Sequence, residues 1–157
     1  MIFVTVGTHQ DPFDRLLDAV GRLDVDEEIV VQYGHSTSRP ANAACVDFMP
    51  FDELRDHVAR ARVVVTHAGV GSMMLAMSEG RRPVVMPRRE AHGEHVDDHQ
   101  LELARRMGSA DLATVVEEAD ELAAAVAGAG GATTALGTKP GLARDLSAYL
   151  AEVLDPA

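Results

Sequence analysis

The sequence has one cysteine, Cys45, so no internal disulfide can form, and its apolar neighbourhood suits a buried thiol in a reducing compartment. Long apolar runs are missing too. None approaches the roughly 18–20 residues that a membrane-spanning helix needs. The N-terminus enters a strand-like run at once, without the basic stretch and small-residue cleavage site of a secretory leader, so the expectation is a cytoplasmic protein. Basic residues are scarce: 14 Lys and Arg stand against 25 Asp and Glu, for a formal charge of −11. A nucleic-acid binder shows a basic footprint, and adsorption to an anionic membrane needs one, so both classes are disfavoured. Any phosphate ligand must be held by local groups. No internal repeat is visible.

What is present is alternation. "IFVTV" (2–6), "IVVQY" (29–33), "CVDFM" (45–49), "VVVT" (63–66), "PVVMP" (83–87) and a weaker stretch in "ADLATVV" (110–116) read as six short strands. Between the first two, Asp11 as N-cap and Pro12 at the first position predict a helix. Its Phe13, Leu16, Leu17 and Val20 recur at the spacing of one buried face. Further helices are expected from Asp52, after residue 69, and near 97–107 and 117–127. The length suits one domain, and strands alternating with helices predict an α/β fold: a Rossmann-like, doubly wound, mainly parallel six-stranded sheet. Residues 128–139, rich in Gly, Ala and Thr, read as a flexible connection. Residues 140–157 read as a last helix, docked on the domain or on a partner.

Parallel sheets bind ligands at the carboxyl ends of their strands. Six of the seven histidines (His9, His35, His67, His92, His95 and His99) follow predicted strands, and His57 alone falls in a helix. In "THAGVGS", Gly69 and Gly71 would let backbone amides approach a ligand, and Ser72 falls near a helix N-terminus that favours an anion. His67 would donate to a phosphate oxygen or orient the loop. Gly7, Thr8 and His9 repeat the arrangement after the first strand. Arg81, Arg82, Arg88 and Arg89 form a basic cluster assigned to the same edge. Blander readings stay open: a strand–helix turn with Ser72 as an ordinary N-cap, and a solvated basic edge. His95 and His99, four apart, would share a helical face as metal ligands can, in a metal-dependent hydrolase, but only if the helix began before His95.

Three segments, "FVTVGTHQDPFDRLL", "VVTHAGVGSMMLAMSEGRRPVVMPR" and "GEHVDDHQLELA", together resemble the C-terminal domain of glycosyltransferase family 28. The resemblance is closest to the small separate subunits of bacterial exopolysaccharide glycosyltransferases and to the cytosolic subunit of the eukaryotic two-subunit enzyme that extends dolichol-linked sugar. It covers about residues 1–107 closely. It implies the C-terminal half of a GT-B fold, holding a UDP-sugar as substrate for an inverting transfer of a hexose or N-acetylhexosamine, with no cofactor and no metal. It further implies that residues 1–127 are the donor-binding domain, with Gly7 and Thr8 facing the cleft and Gly69, Gly71 and Ser72 at the diphosphate. His99 and Gln100 would then read the donor sugar, Glu94 and His95 line the same wall, and Arg88 belong to the donor site. His9 is a candidate base at the cleft, although the resemblance places the base on the other half. Because 157 residues leave no room for that half, a membrane-anchored acceptor-binding subunit with a lipid-linked saccharide acceptor is implied, recruiting this chain to the inner face of the membrane. One position departs from the pattern: many relatives carry a ribose-holding glutamate where Leu75 stands, and Glu79 lies a turn further on. A non-catalytic nucleotide-binding module remains the alternative from another class.

Overall fold

A computed structural model describes residues 1–130. The expected connection falls mostly, and the 140–157 helix wholly, outside the described residues. Six strands, β1 (Ile2–Thr5), β2 (Ile29–Gln32), β3 (Ala44–Val46), β4 (Val63–His67), β5 (Val84–Met86) and β6 (Thr114–Val115), form one sheet in the order β3-β2-β1-β4-β5-β6. Every pairing is parallel. Five helices connect or cover them: α1 (Asp14–Gly21), α2 (Phe51–Arg60), α3 (Val70–Ser78), α4 (His99–Ser109) and α5 (Leu122–Gly128).

Strand residues of period two divide the core between the two faces of the sheet. Ile2, Val4, Val31, Val65 and Met86 pack under α1 with Leu122 and Val126 of α5. Phe3, Val30 and Val64 pack against Val58 of α2 and Ala76 of α3, and Val85 against Leu103 and Met107 of α4. The predicted α1 face is real: Phe13, Leu16, Leu17 and Val20 are all fully buried. Removing a side chain such as Leu16 would cost about 2–5 kcal/mol.

The start of α1 differs from the expectation. Asp11 and Pro12 lie before the helix, which opens at Asp14. The backbone of Asp11 donates to His9 Nδ1 at 3.1 Å, and the carbonyls of Asp11 and Pro12 accept from Arg88. That segment is therefore committed to the loop. Asp14 does not cap its own helix either: burial pushes its pKa up, but its carboxylate accepts from Thr37 N, Thr37 Oγ1 and Ser38 N, and these bonds together hold it below the usual carboxylate value.

Where the strand order reverses, between β1 and β4, the two neighbouring strands send their connections in opposite directions and leave a crevice at their carboxyl ends. Beneath it runs a buried polar row. Thr5 lies opposite both Gln32 and Thr66, Gln32 Nε2 donates to Thr5 Oγ1 at 3.2 Å, and Gln32 Oε1 accepts from Met49 N. Thr5 Oγ1 also accepts from Gly7 N at 3.2 Å, so this row ties the end of β2 to the segments after β1 and β3. No helix among the described residues is long and apolar enough to cross a membrane.

Candidate functional site

His67 ends β4 at the crevice and is buried, with its ring wedged between the two glycine loops. A β-carbon at Gly69 would fall 2.0 Å from its Nε2, and one at Gly7 2.5 Å from its Cε1. Both separations are impossible, so the glycines are required by the histidine itself. Gly7 has a second reason, a φ of +73°. The imidazole Nδ1 lies 3.2 Å from Thr66 Oγ1. Burial first, then the positive charge of Arg88, pushes its pKa down to about 3, although a hydrogen bond with the Thr5 backbone opposes the shift. It is a neutral ring at physiological pH, a floor rather than a cation.

Above it opens α3. Its N-cap is Gly69, which brings no side chain, and its first turn, like that of α5, holds no acidic residue; α1, α2 and α4 each carry at least one there. The first amides of a helix have no intrahelical partner, so those of Val70, Gly71 and Ser72 face outward with the positive end of the helix dipole. Ser72 is the third helical residue and not the N-cap, which removes the ordinary-cap reading. Gly71 is exposed, and a β-carbon there would meet nothing within 4 Å. A helical glycine costs about 1 kcal/mol relative to alanine, and no internal contact calls for this one.

Thr8 is exposed and His9 half-buried on the neighbouring loop. The His9 and His95 rings meet at 4.8 Å between centroids. Burial, Arg88 and His95 together lower the pKa of His9, with Asp11 opposing. Because His9 Nδ1 accepts from Asp11 N, the proton of the neutral ring belongs on Nε2, which makes that nitrogen a donor. His95 and His99 do not share a helical face, since α4 starts at His99. Asp97 lies between them, 3.3 Å from His95 Nδ1 and 2.5 Å from His99 Nδ1. No group of three or more His, Cys, Asp or Glu among the described residues is placed to hold a metal ion. His35 lies edge-on to Phe48 and His57 stacks on Phe3 in the other half of the sheet.

The basic cluster does not survive folding. Arg81 and Arg82 precede β5 and so lie at the opposite, amino edge; Arg81 donates to the Ala59 carbonyl and Arg82 pairs with Asp111 at 2.7 Å. Arg89 reaches Glu118 at 3.5 Å. Arg88 is wholly buried, with its guanidinium on backbone carbonyls, so it cannot touch a ligand as expected. Glu94 is likewise buried, gripped by both Nε and Nη2 of Arg15 at 2.8 and 3.0 Å, which takes its carboxylate from the wall. Gln100 accepts from Arg88 N through Oε1 at 3.1 Å. Glu79 caps the far end of α3 and pairs with Arg55, while Leu75 packs against the Phe3 cluster. The sequence reading overlooked Arg15 and the Thr5–Gln32 row. A polar residue near the carboxyl end of β1, β2 and β4 alike was the available signal for the latter.

The comparisons agree with this fold. Residues 1–129 match the model of the glycosyltransferase family 28 C-terminal domain. The UDP-N-acetylglucosamine transferase subunit ALG13 of Homo sapiens is 29% identical over 119 residues, 68% of this chain and 10% of that protein. ALG13 of Yarrowia lipolytica is 36% identical over 56 residues, 36% of this chain and 26% of its own length. This chain thus spans a small part of either relative. Among solved structures, the glycotransferase of kitacinnamycin superposes with a TM-score of 0.59 at 21% identity, over 98% of this chain and 39% of that one. CalG4, the calicheamicin glycosyltransferase, gives 0.56 at 19% identity, over 98% and 44%. At such identities these two show the fold alone, one half of the GT-B architecture. With the family model covering nearly all the described residues, the chain belongs to glycosyltransferase family 28, as a C-terminal domain of that family.

Proposed function

We propose that this chain is the donor-binding subunit of an inverting glycosyltransferase. It holds a UDP-sugar and, with a separate membrane-associated acceptor-binding subunit, transfers a hexose or N-acetylhexosamine to a lipid-linked acceptor in polysaccharide biosynthesis. The observation that carries this reading is the open N-terminus of α3 over neutral His67, at the β1–β4 crevice. A leaving diphosphate accumulates negative charge, and outward amides plus a helix dipole stabilise it without reorganising. That both ALG13 relatives are transferase subunits supports a partner.

The chemistry divides between two halves. His9 presents Nε2–H, suited to donating to a phosphate or sugar oxygen and poorly suited to removing a proton. Among the described residues no other side chain at the crevice takes the role of base; the acceptor subunit supplies it and closes the cleft against water. The test is co-purification of this chain with its neighbours from native membranes, followed by transfer assays with UDP-sugars and a lipid-linked acceptor. Turnover is expected from the pair and not from the chain alone. A pair that binds nucleotide without turnover would favour the non-catalytic module.

A further inference from the structure

Arg88 is the largest fully buried side chain among the described residues, and it does not form an ordinary ion pair. Its Nη2 donates to the Val6 carbonyl at 3.0 Å. Its Nη1 serves the carbonyls of Asp11 at 2.8 Å, Glu94 at 3.2 Å and Pro12 at 3.5 Å, and its plane lies over the Phe13 ring at 4.8 Å. Among the described residues no carboxylate comes within ion-pair distance of it, and its Nε has no hydrogen-bond partner. Burying a cation on carbonyls alone is costly. What the arrangement achieves is a join: Val6, Asp11 and Pro12 belong to the segment after β1, and Glu94 to the segment after β5, some 80 residues away in sequence. The Glu94 carboxylate extends the join by accepting from Arg89 N and from Arg15, whose remaining donors hold the Pro87 and Glu117 carbonyls.

We propose that Arg88 is a positioning residue for the donor site: by fastening the 7–13 loop to the 88–98 loop from below, it makes the two present one rigid rim to the nucleotide-sugar. The inference rests on the donor-site reading given above. The contact between the His9 and His95 rings, one from each loop and tilted 32° to each other at 4.8 Å between centroids, is its visible product. The planar fork of arginine is essential to it. A lysine ammonium is a point donor on a flexible stem and cannot span carbonyls on both loops in fixed directions. Donor binding then meets loops already ordered, and the cost of ordering them does not fall on the ligand.

The test compares the wild-type chain with Arg88→Lys and with Val126→Ala, a core truncation in α5 that serves as a destabilised control, at a temperature where all are folded. In the free proteins, amide hydrogen exchange in 7–13 and in 90–98 is expected to rise together in Arg88→Lys and to stay put in the control. The His9–His95 contact seen by NMR should be lost in the same variant alone. With UDP as the probe, Arg88→Lys should raise Kd at least tenfold and Val126→Ala by less than twofold. If Arg88→Lys does not fold, Arg15→Gln, which loosens the Glu94 end of the same join, should raise exchange in both loops and weaken UDP binding about threefold. Equal UDP affinity in wild type and variant, exchange that rises in one loop only, or the same loss in the control would overturn the inference. If the wild type binds neither UDP nor a UDP-sugar, the donor-site reading falls, while exchange in the free proteins still decides whether the loops are joined.

Discussion

The imidazole of His67 occupies the space that a side chain at Gly69 would need: a β-carbon there falls 2.0 Å from Nε2. The histidine and the glycine of "THAG" are thus one steric unit, and the turn from β4 into α3 is shaped around a buried ring. Gly69→Ala is expected to destabilise the fold by about 1–3 kcal/mol, the usual range for overpacking. In His67→Ala the same substitution should be nearly neutral. At Gly7 the rescue should be partial, since its φ of +73° strains any β-carbon by about 1–2 kcal/mol whatever its neighbours. Urea titrations of the two double-mutant cycles decide this, and additive effects at position 69 would refute the wedge.

His67 also sets a pH dependence. Its pKa falls from 6.5 unfolded to about 3 folded, so between those values the unfolded chain binds a proton that the native chain refuses. Its contribution is fully present above pH 6.5 and is lost as pH drops toward 3. The limiting slope is about 1.4 kcal/mol per pH unit for one proton. His9 and the carboxylates of Asp14, Glu27, Asp97 and Glu117, all lowered on folding, slope the same way. The informative quantity is therefore the difference between wild type and His67→Gln. Over pH 6.5 to 4.5 the wild type should lose stability faster, by close to one proton; parallel curves would show that His67 is protonated in the fold.

Donor binding is expected to be independent of metal. His95 and His99 both direct Nδ1 at Asp97, and the amides of α3 offer anion stabilisation of their own. UDP titrations with and without a chelator should coincide. Stoichiometric zinc or manganese that survives dialysis and disappears in His95→Ala would restore the hydrolase alternative.

Much of the architecture was legible because burial imposes period: valine-rich runs could only be central strands, and Phe13, Leu16, Leu17 and Val20 could only face a sheet. The ligand edge followed from the alternation of strands and helices, and six histidines fell on that edge, whereas the crevice between β1 and β4 needed the strand order that only the structure gives. Side-chain destinations were not legible. Arg88 and Arg82 look alike in "RRPVVMPRR", yet the three residues of β5 and a proline on either side put them at opposite edges of the sheet, and one is buried while the other pairs at the surface. Arg15 lies beside an apolar stripe with no spacing that announces Glu94, 79 residues further on. Pro12 after Asp11 is a sound local helix start, overridden by carbonyl contacts to Arg88 that only the tertiary fold creates.

The central claim is that an anionic diphosphate sits on the N-terminus of α3, and calorimetry of UDP binding to wild type and to Ser72→Asp tests it most directly. Aspartate in a first helical turn favours the helix by roughly 0.3–1 kcal/mol, so the variant should fold with unchanged or higher stability. Its carboxylate would nevertheless stand where the phosphates must lie. The expected result is a saturable UDP isotherm for the wild type and none for Ser72→Asp; equal binding by the two would contradict the placement.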